Sequence, residues 1–225
     1  VDDKELMLET RKRLNDTGLQ VLDVEAIWVD ASINVSDYER LFEAAASLGA
    51  RYAVAMIHDP DETHGTGSFA ALCELAAPYG VTVNLELAKY SAVTSIDQAA
   101  RVVHSCASRN AAVLIDTLHF ARAGGAASDI RAHRESLAQY IQIADAPKTP
   151  PADVSLYRDE ALNWRLDPGA GDLPLAEMLG ILPADTPLSV ESPNRKLDHL
   201  SAVERARCAL QETRGLIASV AEEAV

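Results

Sequence analysis

Apolar, β-branched runs alternate along this chain with segments whose apolar positions recur at helical spacing, the signature of strands and helices in succession. The strand-like runs cover residues 19–29, 51–57, 81–87, 111–117, 140–146 and 187–192. Helical patterns fill 38–48, 68–79, 95–107, 128–137 and 175–182, and a long closing helix starts near Ser201. Ser95-Ile-Asp-Gln98 and Ser201-Ala-Val-Glu204 fit the capping box, in which a side-chain oxygen takes an orphan N–H of the first turn. Gly18, Gly49 and Gly80 follow helical segments, where a left-handed residue ends a helix at little cost.

Such alternation specifies a parallel sheet with crossover helices. An open doubly wound sheet usually carries a Gly-rich phosphate loop after its first strand, and none is present. Polar residues recur instead at the carboxyl ends of several strands, where closed (β/α)8 barrels build their sites. The pattern therefore predicts a barrel. It supplies six strand–helix units where eight are needed, and the chain opens at Val1 into a helix-like charged segment, 2–14. The expectation is a single barrel domain over 1–225 with its first two strands absent, and with further residues before Val1.

The 225 residues hold 34 acidic and 20 basic side chains, a formal charge of −14 that disfavours an extended nucleic-acid surface, because affinity there comes from neutralising phosphates. No run reaches the roughly 18 apolar residues of a membrane span. Cys73, Cys106 and Cys208 are odd in number and form no CxxC pair, so they suggest neither disulfides nor a zinc-thiolate site and point to a reducing, cytoplasmic setting.

Four strand ends carry the chemistry. They read Asn84-Leu-Glu86, Asp116-Thr-Leu-His119, Gln142-Ile-Ala-Asp145 and Ser189-Val-Glu191. Side chains alternate across a strand, so Asn84 shares a direction with Glu86, and Leu114 with Asp116. A lone glutamate at a strand end usually lies on the surface or caps a helix. Acids converging on one barrel mouth would instead repel one another and lose hydration, penalties that a divalent cation removes. Three carboxylates and an amide oxygen make an oxygen-rich set suited to Mg²⁺ or Mn²⁺. His58 and Glu25 stand near two further strand ends, and Arg195 follows the last. Segment 148–163, with Pro150 and Pro151, reads as a lid or as a plain connection.

These phrases, with Ile141-Gln142-Ile-Ala-Asp145-Ala-Pro147 and Pro168-Gly-Ala-Gly171-Asp172, resemble the xylose isomerase-like barrel superfamily in its sugar phosphate isomerase/epimerase branch. The likeness runs in the family's order from about Leu14. It implies that Glu86, Asp116, Gln142 and Glu191 hold one divalent metal ion (Mn, Mg, Co or Zn), with Glu86 and Glu191 also serving as the acid and base. It further implies that His119 and Arg165 face the substrate; His58 and Glu25 join them as substrate-binding candidates. Many members have His where this chain has Gln142, a departure shared with the hydroxypyruvate isomerase group.

The expected function is a metal-dependent isomerase or epimerase acting through an enediolate on a sugar, sugar phosphate or small hydroxy-keto compound. A metal-dependent dehydratase of a keto-cyclitol or dehydroshikimate-like substrate is the alternative on the same scaffold. A nuclease would need more histidines and a basic groove, and a noncatalytic sugar-binding barrel would bind ligand without its metal. The expected partners are a small-molecule substrate and a second copy of the chain in a homo-oligomer, with no nucleic acid or membrane.

Overall fold

The computed structural model describes residues 3–223, which form two compact units, one of residues 3–86 and 100–113 and the other of 87–99 and 114–223. Val1 and Asp2 lie outside the described residues, and with them the expectation about what precedes Val1.

In the first unit, helix α1 (Lys4–Thr17) starts at Asp3, whose carboxylate accepts the Leu6 N–H, and ends at Gly18 in the left-handed region. Strand β1 (Asp23–Val29), α2 (Glu39–Leu48), β2 (Tyr52–Ile57), α3 (Glu62–Ala76), β3 (Thr82–Glu86), α4 (Ile96–Ser105) and β4 (Ala111–Leu114) follow, and the strands lie in the order β1-β2-β3-β4. The β1–β2 and β2–β3 pairs are parallel, with Tyr52 beside Asp23 and Thr82 beside Tyr52. Every residue of β2 is buried, as expected of a strand covered on both faces. Helix α3 turns Phe69, Leu72, Cys73 and Ala76 inward and packs on β2 and β3. Fully burying a Phe or Leu side chain stabilises by about 1.5–3 kcal/mol. The Asn110 amide donates to Cys73 O and Val81 O, tying α3 and β3 together ahead of β4.

The second unit contains α5 (Thr117–Arg122), α6 (Ala127–Ala132), β5 (Ile141–Ile143), α7 (Tyr157–Asn163), α8 (Leu175–Leu179), β6 (Leu188–Val190) and α9 (Ala202–Glu223). β5 pairs in parallel with β6, and on its other side Gln142 pairs with Asp116. Leu118, Ala146 and Ala161 form a small core covered by Tyr90 and Leu173, which sets α7 against α5 and the exit of β5. Beneath it Arg122 and Glu160 form a buried two-pronged ion pair, with Nε–Oε2 at 2.8 Å and Nη2–Oε1 at 2.6 Å, and Arg122 Nη2 also donates to Pro147 O.

The six strands are those read from the sequence, each shorter at one or both ends. Two helices were not anticipated. Residue 117 was expected in a strand, but Asp116 caps α5 there, and the buried Thr117 hydroxyl takes over the pairing by donating to Ala144 O and accepting Ala144 N–H. Segment 148–163 is not a plain irregular link, since it carries a 3-10 turn (Val154–Leu156) and α7. The Ser201–Glu204 box closes in both directions, whereas Gln98 returns its oxygen to Thr94 N–H in place of Ser95. Cys106 falls just past α4. Among the described residues no helix is long and apolar enough to cross a membrane.

Candidate metal and substrate site

In the second unit the site begins with Asp116, whose side chain is fully buried. It caps α5 because its position ends a strand and starts a helix, and Oδ1 accepts the His119 N–H at 2.9 Å. Oδ2 accepts a short hydrogen bond from Arg165 Nη1. Burial pushes the Asp116 carboxyl up, but the Arg165 guanidinium, then His119, outweigh it and hold it below the usual carboxylate range. The group is therefore a buried anion balanced by a buried cation.

Arg165 is 2% exposed and fixed at both ends. Its backbone N–H donates to Pro193 O, its carbonyl accepts from Asn194 Nδ2, and Nε donates to Ala161 O at 2.8 Å. The other terminal nitrogen, Nη2, lies 3.4 Å from Glu191 Oε2 and 3.4 Å from His119 Nε2. Glu191 follows β6 with its side chain 34% exposed, so it is the more accessible of the two acids that Arg165 meets.

His119 is buried, not a solvated loop residue. Burial pushes its imidazole down to about 4, against the pull of Asp116. It is thus neutral at pH 7, and with Arg165 and the Tyr90 hydroxyl (3.3 Å) both turned to Nε2, the network assigns the ring proton to Nδ1. The Tyr90 ring meets it edge-on, centroids 5.4 Å apart. Gln142 is fully buried beside Asp116, and parallel pairing gives the two side chains one direction.

Asp145, in the same phrase as Gln142, has a different task. Its Oδ1 accepts the N–H groups of Ala146 and Leu173, and its Oδ2 those of Gly169 and Gly171. A Cβ at Gly171 would fall 2.5 Å from that carboxylate and 2.6 Å from Ala146 O, so only glycine lets the turn close.

In the first unit Glu86 ends β3, buried, and Asn84 shares its direction two residues earlier. The Asn84 amide is fully buried, and neither its oxygen nor its nitrogen finds a hydrogen bond among the described residues, a state that costs about 1–3 kcal/mol per group. His58, just past β2, stacks on Trp28 with centroids 4.6 Å apart and planes 25° apart. Asp59 is buried, and its Oδ2 meets His64 Nδ1 while Oδ1 accepts Asp61 N–H. Glu25 departs from expectation. It is exposed near the start of β1, inside the register shift between Val24 and Ile27, and not at the strand's carboxyl end. Arg195 is exposed.

The second unit thus gathers Asp116, His119, Gln142, Arg165 and Glu191, and the first places Glu86 and His58 at its strand ends. Tyr90 and Trp28 had no place in the sequence reading. Each is a single aromatic next to a strand end, and helical or strand periodicity does not mark such residues.

Residues 2–216 match the model of the xylose isomerase-like TIM barrel family, and the chain belongs to that family. It is 27% identical over 192 residues to an inosose isomerase of Halalkalibacterium halodurans, a stretch covering 80% of this chain and 66% of that protein. The chain therefore spans just under two thirds of that relative's length. Among solved structures, the IolI protein with a bound zinc atom superposes with a TM-score of 0.81 at 18% identity, over 97% of this chain and 83% of that one. The apo 3-keto-D-glucoside 4-epimerase YcjR of E. coli gives 0.72 at 19%, over 93% and 84%. These likenesses establish the parallel α/β barrel as the fold.

Proposed function

We propose that this protein is a divalent-metal-dependent isomerase or epimerase that moves a proton between adjacent carbons of a sugar, sugar phosphate or small hydroxy-keto compound through an enediolate. The observation that carries it is Asp116: a carboxylate wholly removed from water at a strand end, with the Gln142 amide beside it and the guanidinium of Arg165 as its counter-charge. The donor chemistry fits a divalent ion. Glu86, Asp116 and His119 supply two carboxylates and an imidazole, and Gln142 and Glu191 complete the proposed set. The imidazole admits Mn²⁺, Co²⁺ or Zn²⁺ as readily as Mg²⁺.

A bound ion would polarise a carbonyl and its neighbouring hydroxyl, which lowers the cost of the enediolate. The chain's own groups do the rest. Glu86 and Glu191 remove and return the proton. Arg165 binds a substrate oxygen as donor, while the one lone pair of neutral His119, on Nε2, would serve the ion. The inosose isomerase and epimerase names of the relatives support this reading, as does the zinc bound by IolI. A cytoplasmic, homo-oligomeric enzyme is part of the same proposal, with Cys73, Cys106 and Cys208 as free thiols.

Metal analysis of the purified protein beside Glu86→Gln and Glu191→Gln tests it. The expected result is one equivalent of metal in the wild type and clear loss in both variants; equal metal in all three removes the site. Deuterium uptake from heavy water into a ketose without change of elemental composition marks the isomerase, and loss of water marks a dehydratase.

A further inference from the structure

We propose that Tyr90 is a further catalytic residue, whose hydroxyl pairs with Arg165 Nη2 to donate to the substrate oxygen on which enediolate charge develops. This rests on the isomerase reading above and adds to it a donor whose use is coupled to the ion.

The placement comes first. Tyr90 lies in the turn between β3 and α4, and that turn is tied from within. Ala88 N–H donates to Val93 O and Ser91 N–H to Ala88 O, each at 3.0 Å. The Ser91 hydroxyl lies 2.9 Å from Ala88 O and 2.7 Å from Val93 O, and it accepts Val93 N–H at 3.2 Å. Gln98 Nε2 donates to Ala92 O at 2.9 Å, so α4 grips the turn as well. The Tyr90 ring packs on Leu118, Ala146 and Ala161. A phenol held in this way keeps one easy motion, rotation of its O–H.

That O–H meets an acceptor it has to share. Neutral His119, with its proton on Nδ1, has a single lone pair on Nε2, and two donors turn to it, the Tyr90 hydroxyl at 3.3 Å and Arg165 Nη2 at 3.4 Å. Both contacts exceed the roughly 3.2 Å upper end of ordinary hydrogen bonds. When Nε2 serves the ion, neither donor keeps that lone pair, yet both stay in place. Arg165 is anchored through Nε to Ala161 O and through Nη1 to Asp116, and Tyr90 through its turn and its packing. An oxygen arriving beside His119 then meets a phenol and a guanidinium together. Glu191 Oε2 lies 3.4 Å from the same Nη2, which brings the proposed base next to this donor pair. Donors fixed in advance around a developing oxyanion stabilise it strongly, because nothing has to reorganise as the charge appears. Tyr90 retains its proton throughout, and the proton exchanged between carbons is carried by Glu86 and Glu191.

Two effects of opposite sign follow. The hydroxyl competes for the lone pair that the ion uses, and it donates to the oxygen that carries the charge. The test uses the full chain and Tyr90→Phe, which keeps the ring in its core and removes only the hydroxyl. The probes are Mn²⁺ alone, titrated against a chelator, and glycolohydroxamate, a planar enediolate mimic, added to the Mn²⁺-saturated protein and followed by calorimetry. Tyr90→Phe should bind Mn²⁺ about fivefold more tightly and glycolohydroxamate about tenfold more weakly. A packing defect would weaken both, so the opposed signs isolate the hydroxyl. Unchanged affinity for either probe overturns the inference, as does weaker binding of both. A wild type that binds Mn²⁺ but no glycolohydroxamate overturns the donor pair and leaves the metal site standing. A wild type that takes up no Mn²⁺ overturns the isomerase reading itself, and this inference with it.

Discussion

Replacing Glu160 by Ala strips the partner from a guanidinium that has almost no water of its own. The Arg122 and Glu160 side chains are 4% and 8% exposed, and both prongs of the pair are hydrogen bonded. After the substitution Arg122 keeps only the Pro147 carbonyl, at 3.0 Å. Breaking a buried pair from one side costs about 3–5 kcal/mol, since the remaining charge is left without compensation. For a chain of this size each kcal/mol lowers Tm by roughly 2–4 °C, so the fall should be roughly 6–20 °C. The double replacement Arg122→Met with Glu160→Leu removes both charges and keeps the volume, and it should recover stability to within about 1–2 kcal/mol of the wild type. Urea unfolding followed by circular dichroism measures all three proteins. A cost below about 1 kcal/mol for Glu160→Ala, the range of exposed pairs, would refute the argument. The same loss should reach the site, because Ala161, the next residue of α7, gives its carbonyl to Arg165 Nε.

Two further predictions concern the second unit. Asp145→Asn replaces an oxygen that accepts two N–H groups by an amide that donates, so two of the four amides it holds lose their acceptor, at about 1–3 kcal/mol each; faster hydrogen exchange at Gly169 and Gly171 reports it, and wild-type exchange would count against the carboxylate's role. His119 sits at about 4 when folded against 6.5 ordinarily. The unfolded chain thus binds the proton more tightly, and the stability contributed by neutral His119 is complete above about pH 6.5 and lost as pH falls through about 4. The metal-free wild type should therefore weaken between pH 7 and 4.5 more steeply than His119→Asn in urea titrations, and parallel slopes would show that another group sets the decline.

How far the sequence carried can be seen residue by residue. The strands were legible because β2 is a short apolar run after Gly49, and β3, after Gly80, alternates apolar Val83 and Leu85 with polar Thr82, Asn84 and Glu86. Glu86, Asp116, Gln142 and Glu191 were legible as acids and amides at strand ends. Helix α5 was hidden because Asp116 and Thr117 look like the polar end of a strand until the cap and the Thr117–Ala144 bonds are seen. The Arg165–Asp116 pair joins residues 49 positions apart, and no local pattern encodes such a contact. Asp145 was grouped with the chemistry of its phrase, but its carboxylate is spent on backbone amides. Trp28 went unremarked because a single exposed aromatic in a strand has no periodic signature.

The grip of Asp145 on main-chain amides fixes the 167–173 turn without asking anything of the side chain at its exposed tip, Ala170. Gly171, where a methyl group would collide, Gly169, in the left-handed region, and Leu173, in the small core, are held to type, but the bend follows the same course whichever residue stands at exposed Ala170. Descendants of this protein can therefore change that position, and with it what the loop offers to a visiting molecule, without redrawing the path of the chain.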